Sequence, residues 1–255
     1  MVSEHPSEFL ASAGPRVFAH RGLSLEAPEN TLLSFLKALS SGATHLETDV
    51  HVTRDGTAVL SHDPDLVRLA GRNVRVDQLT MAELRRIDLG VGQSFVSLGE
   101  ALDTFPEARF NIDVKAAGAA EPTARAVLDA GATRRVLITS FSEERRRRTT
   151  ALLPGVATSA SSPVLLKALL ASGLGLTGRA GQVLRGFAAV QVPERYGRVP
   201  VVTPRFIRVM HAIEVEVHVW TVNEPAQMSR LLDLGVDGIV TDRCDLAVEI
   251  IAGRI

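Results

Sequence analysis

Apolar positions along this chain follow two rhythms that alternate. Short β-branched runs stand at 17–20, 45–51, 109–115, 136–139, 156–160, 188–192, 216–222 and 238–241. Between them lie stretches at helical spacing, 31–40, 122–130, 143–152, 163–171, 204–213 and 225–234. Helix-start signals agree with these limits: Ser142 precedes Glu143 and Glu144, and Thr203-Pro204 and Asn223-Glu224-Pro225 put proline in a first turn. Eight strand-like runs alternating with helices in 255 residues predict an α/β chain closed as a (β/α)8 TIM barrel, one domain over 1–255. An open doubly wound sheet fits less well, because no glycine-rich phosphate turn follows the first run.

One segment breaks the alternation. After the second strand, Arg54-Asp55-Gly56-Thr57 reads as a hairpin turn. Thr80-Met81-Ala82-Glu83 then reads as a capping box opening a short helix that ends near Gly90, and a further helix at 98–104 leads back to the barrel. Residues 64–97 are expected to form a small cap over the barrel mouth.

Composition narrows the picture. Hydrophobic residues at 45% and charged residues at 22% suit a folded globular chain. The formal net charge of −1 offers no global attraction to nucleic acid. Cys244 is the single cysteine, which excludes an intramolecular disulfide and a thiolate zinc site. No apolar run approaches the ~20 residues of a membrane span, and the first sixteen residues lack the pattern of a secretory signal. The expectation is a cytoplasmic protein, monomer or homodimer, without an integral membrane segment.

In a TIM barrel the chemistry sits at the C-terminal strand ends. If Asp55-Gly56 is a two-residue loop, Arg54 pairs with Thr57, and Asp49 falls opposite His62, with Cβ atoms roughly 5 Å apart. Glu47 shares that face by strand parity, and in the third run Asp113 and Lys115 point the same way. Charged residues on an interior strand need compensation. A cation held by Glu47, Asp49 and Asp113 would supply it, and oxygen-only ligands select Mg2+ or Ca2+. The alternative is that Lys115 pairs with these acids. At the end of the first run, His20 and Arg21 suit an anion: Arg presents a planar fork, and His moves protons near neutrality. With His62, two imidazoles flank the acidic cluster, one to take a proton and one to give it.

In order and spacing, His20-Arg21-Gly22, Pro28-Glu29-Asn30-Thr31, Glu47-Thr48-Asp49-Val50, Asp55-Gly56, His62-Asp63 and Asn111-Ile112-Asp113-Val114-Lys115 resemble the glycerophosphodiester phosphodiesterases. The likeness continues through His218–Asn223 and Gly235–Asp242, while 116–215 matches only in strand–helix rhythm. The resemblance implies a metal-dependent TIM-barrel hydrolase that cleaves glycerophosphodiesters to glycerol 3-phosphate and an alcohol. It implies Glu47, Asp49 and Asp113 as metal ligands, His20 and His62 as the acid–base pair, and Arg21 and Lys115 as phosphate contacts. It also implies attack by the glycerol 2-hydroxyl and a cyclic phosphate opened by water. The family most often has Glu where this chain has Asp113, one methylene shorter.

Trp220 reads as an apolar wall for glycerol or as barrel packing, and Phe141 stands similarly. Glu29 is placed to brace Arg21, and Asn30 or Thr31 to cap the first helix. Arg68, Arg72 and Arg75 read as a solvated cap surface, while His5, His45, His51 and His211 have no partner legible in the sequence. Two further readings compete: a lysophospholipase D-type phosphodiesterase, and a phosphoester-binding barrel without turnover. An aldolase-type Schiff-base role for Lys115 is a third.

Overall fold

The computed structural model describes residues 7–11 and 14–254. His5 lies outside them. Eight parallel strands form the barrel: β1 (Arg16–His20), β2 (His45–Val52), β3 (Arg109–Val114), β4 (Val136–Thr139), β5 (Ala157–Thr158), β6 (Ala189–Pro193), β7 (Glu216–Trp220) and β8 (Gly238–Thr241). Each pairs with its neighbours in chain order, and β8 returns to β1 in the register Arg16↔Gly238 through Ala19↔Thr241. The seam between β5 and β6 is the thinnest. It consists of a Ser159↔Ala189 bridge and hydrogen bonds from Ala160 N to Ala189 O (3.1 Å) and from Ala188 N to Thr158 O (2.9 Å).

Eight helices follow the strands: α1 (Leu32–Ser40), α2 (Leu98–Thr104), α3 (Ala120–Asp129), α4 (Glu143–Ala151), α5 (Ser162–Gly173), α6 (Pro204–His211), α7 (Pro225–Leu234) and α8 (Cys244–Ala252). Their starts follow from local chemistry. Thr31 caps α1 and forms a reciprocal box with Ser34, Ser142 caps α4, and Thr203 caps α6 ahead of Pro204. The sequence reading did not anticipate α8, a helix at Thr177–Val183, or a small hairpin pairing Arg195–Tyr196 with Val199–Pro200.

Strand parity sorts the side chains. On β1, Val17 and Ala19 face the helices in the main core, while Phe18 joins an inner cluster with Leu137, Ala157, Ala189 and Val240. Phe9 plugs the barrel from below, packing on Phe18 and on His45, whose ring centroid lies 4.7 Å away. A Cβ on Gly238 would come within 2.7 Å of the Phe18 ring and 2.9 Å of His218, so the inner packing requires glycine there. His45, expected to lack partners, sits between the Thr44 hydroxyl and the Phe9 carbonyl, each 2.8 Å from one ring nitrogen.

The hairpin register differs from expectation. Val50 pairs with Leu60 and Val52 with Ala58, and Thr53 N bonds Thr57 O at 3.0 Å. The loop therefore has three residues, Arg54-Asp55-Gly56, with Gly56 at φ 78°. Asp49 lies opposite Ser61, not His62. The segment 64–97 forms a small unit of its own. It packs around its own cluster of Val59, Leu66, Val76, Met81, Leu84, Ile87 and Phe95, and its Thr80-capped helix ends at Leu84. None of its residues lines the cavity at the barrel mouth. Its Arg68 nevertheless reaches the site, bonding Asp63 and Glu29.

Candidate active site

A cavity of about 760 Å³ opens at the C-terminal strand ends, lined by His20, Arg21, Glu47, Asp49, His62, Asp113, Lys115 and Trp220 among others. Every residue singled out for chemistry from the sequence reaches it. His62 does so although the register argument for it fails, because the chain leaves the hairpin after Leu60 and turns residue 62 toward the mouth.

The strand-end turn after β1 is shaped for this. Arg21 and Asn30 adopt φ 57° and 56°, and Gly22 adopts φ 85°. A Cβ on Gly22 would come within 2.4 Å of Ser34, so the turn packs on α1 only with glycine at this position. Asn30 Oδ1 accepts from the Thr48 hydroxyl at 2.7 Å, tying the turn to β2.

At the acidic floor, β2 and β3 set Asp49 directly beside Asp113. Lys115 Nζ bridges them, 2.8 Å from Asp49 Oδ1 and 2.6 Å from Asp113 Oδ2. Arg21 Nε stands 3.0 Å from Asp49 Oδ2, a charge contact without hydrogen-bond alignment, and Glu47 Oε2 accepts from the Arg21 backbone N–H at 3.1 Å. Burial pushes the Glu47 carboxyl up to about 8, and the charge of Asp49 pushes the same way. Burial also raises Asp113, whereas in Asp49 the Lys115 and Arg21 charges outweigh burial and hold the pKa down. For Lys115, its two carboxylate partners outweigh burial and raise the pKa, so it is a cation and no candidate for a neutral amine nucleophile.

The acids supply only oxygen donors, and Asp113 Oδ1 and Asp49 Oδ2 are buried without hydrogen-bond partners. That donor set suits a hard divalent cation. Among the described residues no three such side chains already stand at ligand spacing. The expected alternative, Lys115 paired with the acids, is the arrangement present.

The two histidines are oriented alike. His20 Nδ1 lies 2.7 Å from Asp242 Oδ1, and His62 Nδ1 lies 2.7 Å from Asp63 Oδ1. In each, Nδ1–H donates to a carboxylate and Nε2 is left for chemistry; His20 Nε2 is 4.0 Å from Glu47 Oε2. Burial lowers the His20 pKa, but the Asp242 hydrogen bond and the Glu47 charge outweigh it, for a net rise. Arg68, expected to be solvated, joins the two sides. It bonds Asp63 at 2.6 Å and grips both Glu29 oxygens at 2.7 and 2.8 Å, while Glu29 holds Arg21 Nη1 at 3.2 Å. Asp242 was missed as a positioning residue, although it ends the Gly235–Asp242 stretch at a strand terminus. Asn223 was missed too; its Nδ2 donates to Asp242 at 2.7 Å. Trp220 lies edge-on to Phe141, with ring centroids 5.9 Å apart, on the cavity wall.

A (β/α)8 barrel whose mouth gathers paired imidazoles, buried acids and fixed cations defines a hydrolase class built for phosphodiesters. The chain belongs to the glycerophosphoryl diester phosphodiesterase family, whose model matches residues 20–246. It is 45% identical over 249 residues to a Mycobacterium tuberculosis protein named "Probable glycerophosphodiester phosphodiesterase 2", covering 97% of this chain and 94% of that one. The crystal structure of a glycerophosphodiester phosphodiesterase from Agrobacterium tumefaciens superposes with a TM-score of 0.76 at 24% identity, covering 94% of this chain and 100% of that one. A phosphodiesterase from Oleispira antarctica, solved in complex with the product sn-glycerol-3-phosphate, superposes at 0.75 with 23% identity, covering 94% and 97%. Among the described residues, no helix is long and apolar enough to cross a membrane.

Proposed function

We propose that this enzyme hydrolyses glycerophosphodiesters with a divalent cation, Mg2+ or Ca2+, and that His20 and His62 exchange protons with the reacting oxygens. The observation that carries the reading is the pair of carboxylate-anchored imidazoles opening on one cavity with three buried acids. Glu47, Asp49 and Asp113 would hold the cation, which when bound neutralises charge on the phosphoryl oxygens. Lys115 and Arg21, paired with the acids, line the same cavity and would hold the phosphate there. Arg21 offers a fork for two phosphoryl oxygens. His20, whose Nδ1–H is held by Asp242 and whose pKa is raised by that contact against burial, gives its Nε2 proton to the leaving oxygen. His62, its Nδ1–H fixed by Asp63, presents a basic Nε2 to the attacking hydroxyl.

The test is hydrolysis of glycerophosphocholine. The expected result is activity that EDTA abolishes and added Mg2+ or Ca2+ restores, with His20→Ala and His62→Ala each reducing kcat by about 10²–10⁴. Activity that survives both EDTA and the double histidine substitution overturns the proposal.

A further inference from the structure

Charge is spread unevenly along this chain. Eleven of its 28 lysines and arginines but one of its 29 acids, Glu194, fall between residues 145 and 213. Glu194 is taken by Arg230 at 2.8 Å. Lys167, Arg179, Arg185, Arg195, Arg198 and Arg205 are exposed, and among the described residues none of them meets an acid. The same stretch holds α5, in which Lys167 is the single charged residue. The inner face of α5 packs in the main core through Ala168 and Ala171. Its outer face is apolar too: Leu166, Leu170 and Leu174, four apart on the helix and its C-cap, are 59%, 61% and 73% exposed. A helix apolar on every side is normally covered on every side. The cations border this stripe. Lys167 and Arg179 share a shallow groove with Leu170, Leu174 and Leu176, and the Arg205 guanidinium lies against Gly175, where a Cβ would come within 2.6 Å of it. Tyr196, on the small hairpin between Arg195 and Arg198, is 81% exposed and shares the cavity rim with Leu166.

We propose that this face docks on an anionic membrane surface, with the leucines entering the headgroup layer and the cations meeting lipid phosphates. Charge favours this occupant over a second copy of the chain, because pairing two such faces about a twofold axis would set cation against cation. The leucines favour it over nucleic acid, whose phosphates would answer the arginines but leave the apolar stripe in water. A bilayer supplies both layers, negative charge at its surface and hydrocarbon beneath. The long Lys167 and Arg179 side chains can lie along the leucines and still raise their charges to the headgroups. The rest of the chain, which holds nearly all the acids, is turned away from such a surface by the same field. Docking here is a matter of location. It uses no residue of the acid and imidazole cluster and makes no demand on which diester is cleaved, so it is independent of the hydrolytic reading.

The experiment is flotation of the full chain with vesicles of phosphatidylcholine, alone or mixed with phosphatidylglycerol. The expected result is binding to the mixed vesicles that weakens as salt rises and is faint on phosphatidylcholine alone. Lys167→Ala and Arg179→Ala each weaken that binding about fivefold, and Leu170→Asp combined with Leu174→Asp abolishes it. All four positions are exposed and lie outside the catalytic cavity. The Tm and the hydrolysis of glycerophosphocholine, a soluble substrate, therefore stay at the parent's values in these variants. Vesicle binding needs no turnover, so it reads the docking face whether or not the diester is cleaved. Binding to neither kind of vesicle, equal binding to both, or binding that the substitutions leave unchanged overturns the proposal. So does a concentration-dependent dimer that forms in place of vesicle binding and is dissolved by the leucine variant, which identifies a second copy as the cover. Retention on duplex DNA in place of vesicles overturns it in favour of nucleic acid.

Discussion

His20 and Asp242 meet at the ends of two adjacent barrel strands, β1 and β8, with Nδ1 and Oδ1 2.7 Å apart. The contact fixes the imidazole tautomer and lifts its pKa against the effect of burial. Replacing Asp242 by Asn removes the charge while keeping the shape. The expected result is a kcat lower by roughly 10–100-fold, the size of effect an orienting partner has on the histidine it holds, and less than the loss of the histidine itself. Because a lowered His20 pKa empties the proton donor sooner, the alkaline limb of the pH–rate profile moves to lower pH. A profile that falls in height without moving means that Asp242 does not set the His20 proton.

Glu47 gives a prediction about metal binding and pH. Burial and the Asp49 charge push its carboxyl up to about 8, and a ligand must lose its proton before it binds a metal. Divalent-cation affinity should therefore strengthen from pH 6 to 9, with proton release detectable by calorimetry in buffers of differing ionisation heat. Glu47→Gln should lose both the affinity and most of that pH dependence. An affinity flat across this range would remove Glu47 from the ligand set.

Lys115 bridges two buried acids, and removing it strands them. Lys115→Met in the presence of EDTA should cost about 3–5 kcal/mol of stability, as breaking a buried ion pair does. Mg2+ or Ca2+ should recover part of the loss, raising the Tm of the variant more than that of the parent. Equal shifts in the two proteins would show that the cation does not bind between these acids.

The resemblance read from the sequence leads to the expectation of Glu where this chain has Asp113. Asp113→Glu lengthens the carboxylate by one methylene and should keep hydrolysis while changing the ratio of Mg2+ to Ca2+ affinity severalfold, since the two ions differ in size and in tolerance of geometry. An unchanged titration with both ions would mean that this carboxylate does not coordinate.

His45 ties stability to acid pH. Its pKa falls from 6.5 to about 3, chiefly through burial. The folded state therefore refuses a proton that the unfolded chain accepts below 6.5. The contribution is intact above that value and is lost as pH falls toward 3, by up to about 1.4 kcal/mol per pH unit. Denaturant titrations from pH 7 to 4 should show the loss, and His45→Gln, which cannot take up a proton, should flatten it. Parallel curves for the two proteins would reject this assignment.

The sequence carried most of the barrel because inward and outward positions alternate strictly, and the acids of β2 and β3 obey that alternation. Elements without a start signal escaped it. Arg243 opens α8 with no side-chain cap, and the helix at Thr177–Val183 contains two glycines. The hairpin at 195–200 has only two residues per arm. Register was beyond pattern reading at Asp55-Gly56, since one extra loop residue shifts every pair. The Arg68–Glu29–Arg21 connection was equally hidden, because Arg68 and Glu29 are separated by thirty-nine positions and only folding brings them together.

The closing seam between β5 and β6 has a consequence for motion. The staves bearing the acids are long and doubly bonded, whereas the stave from which α5 hangs is two residues long. Amide exchange should be fastest along that join, and breathing there would separate β5 from β6 while the paired strands that carry the acids keep their register. The ring would thus part first at a join that carries none of the acids or imidazoles.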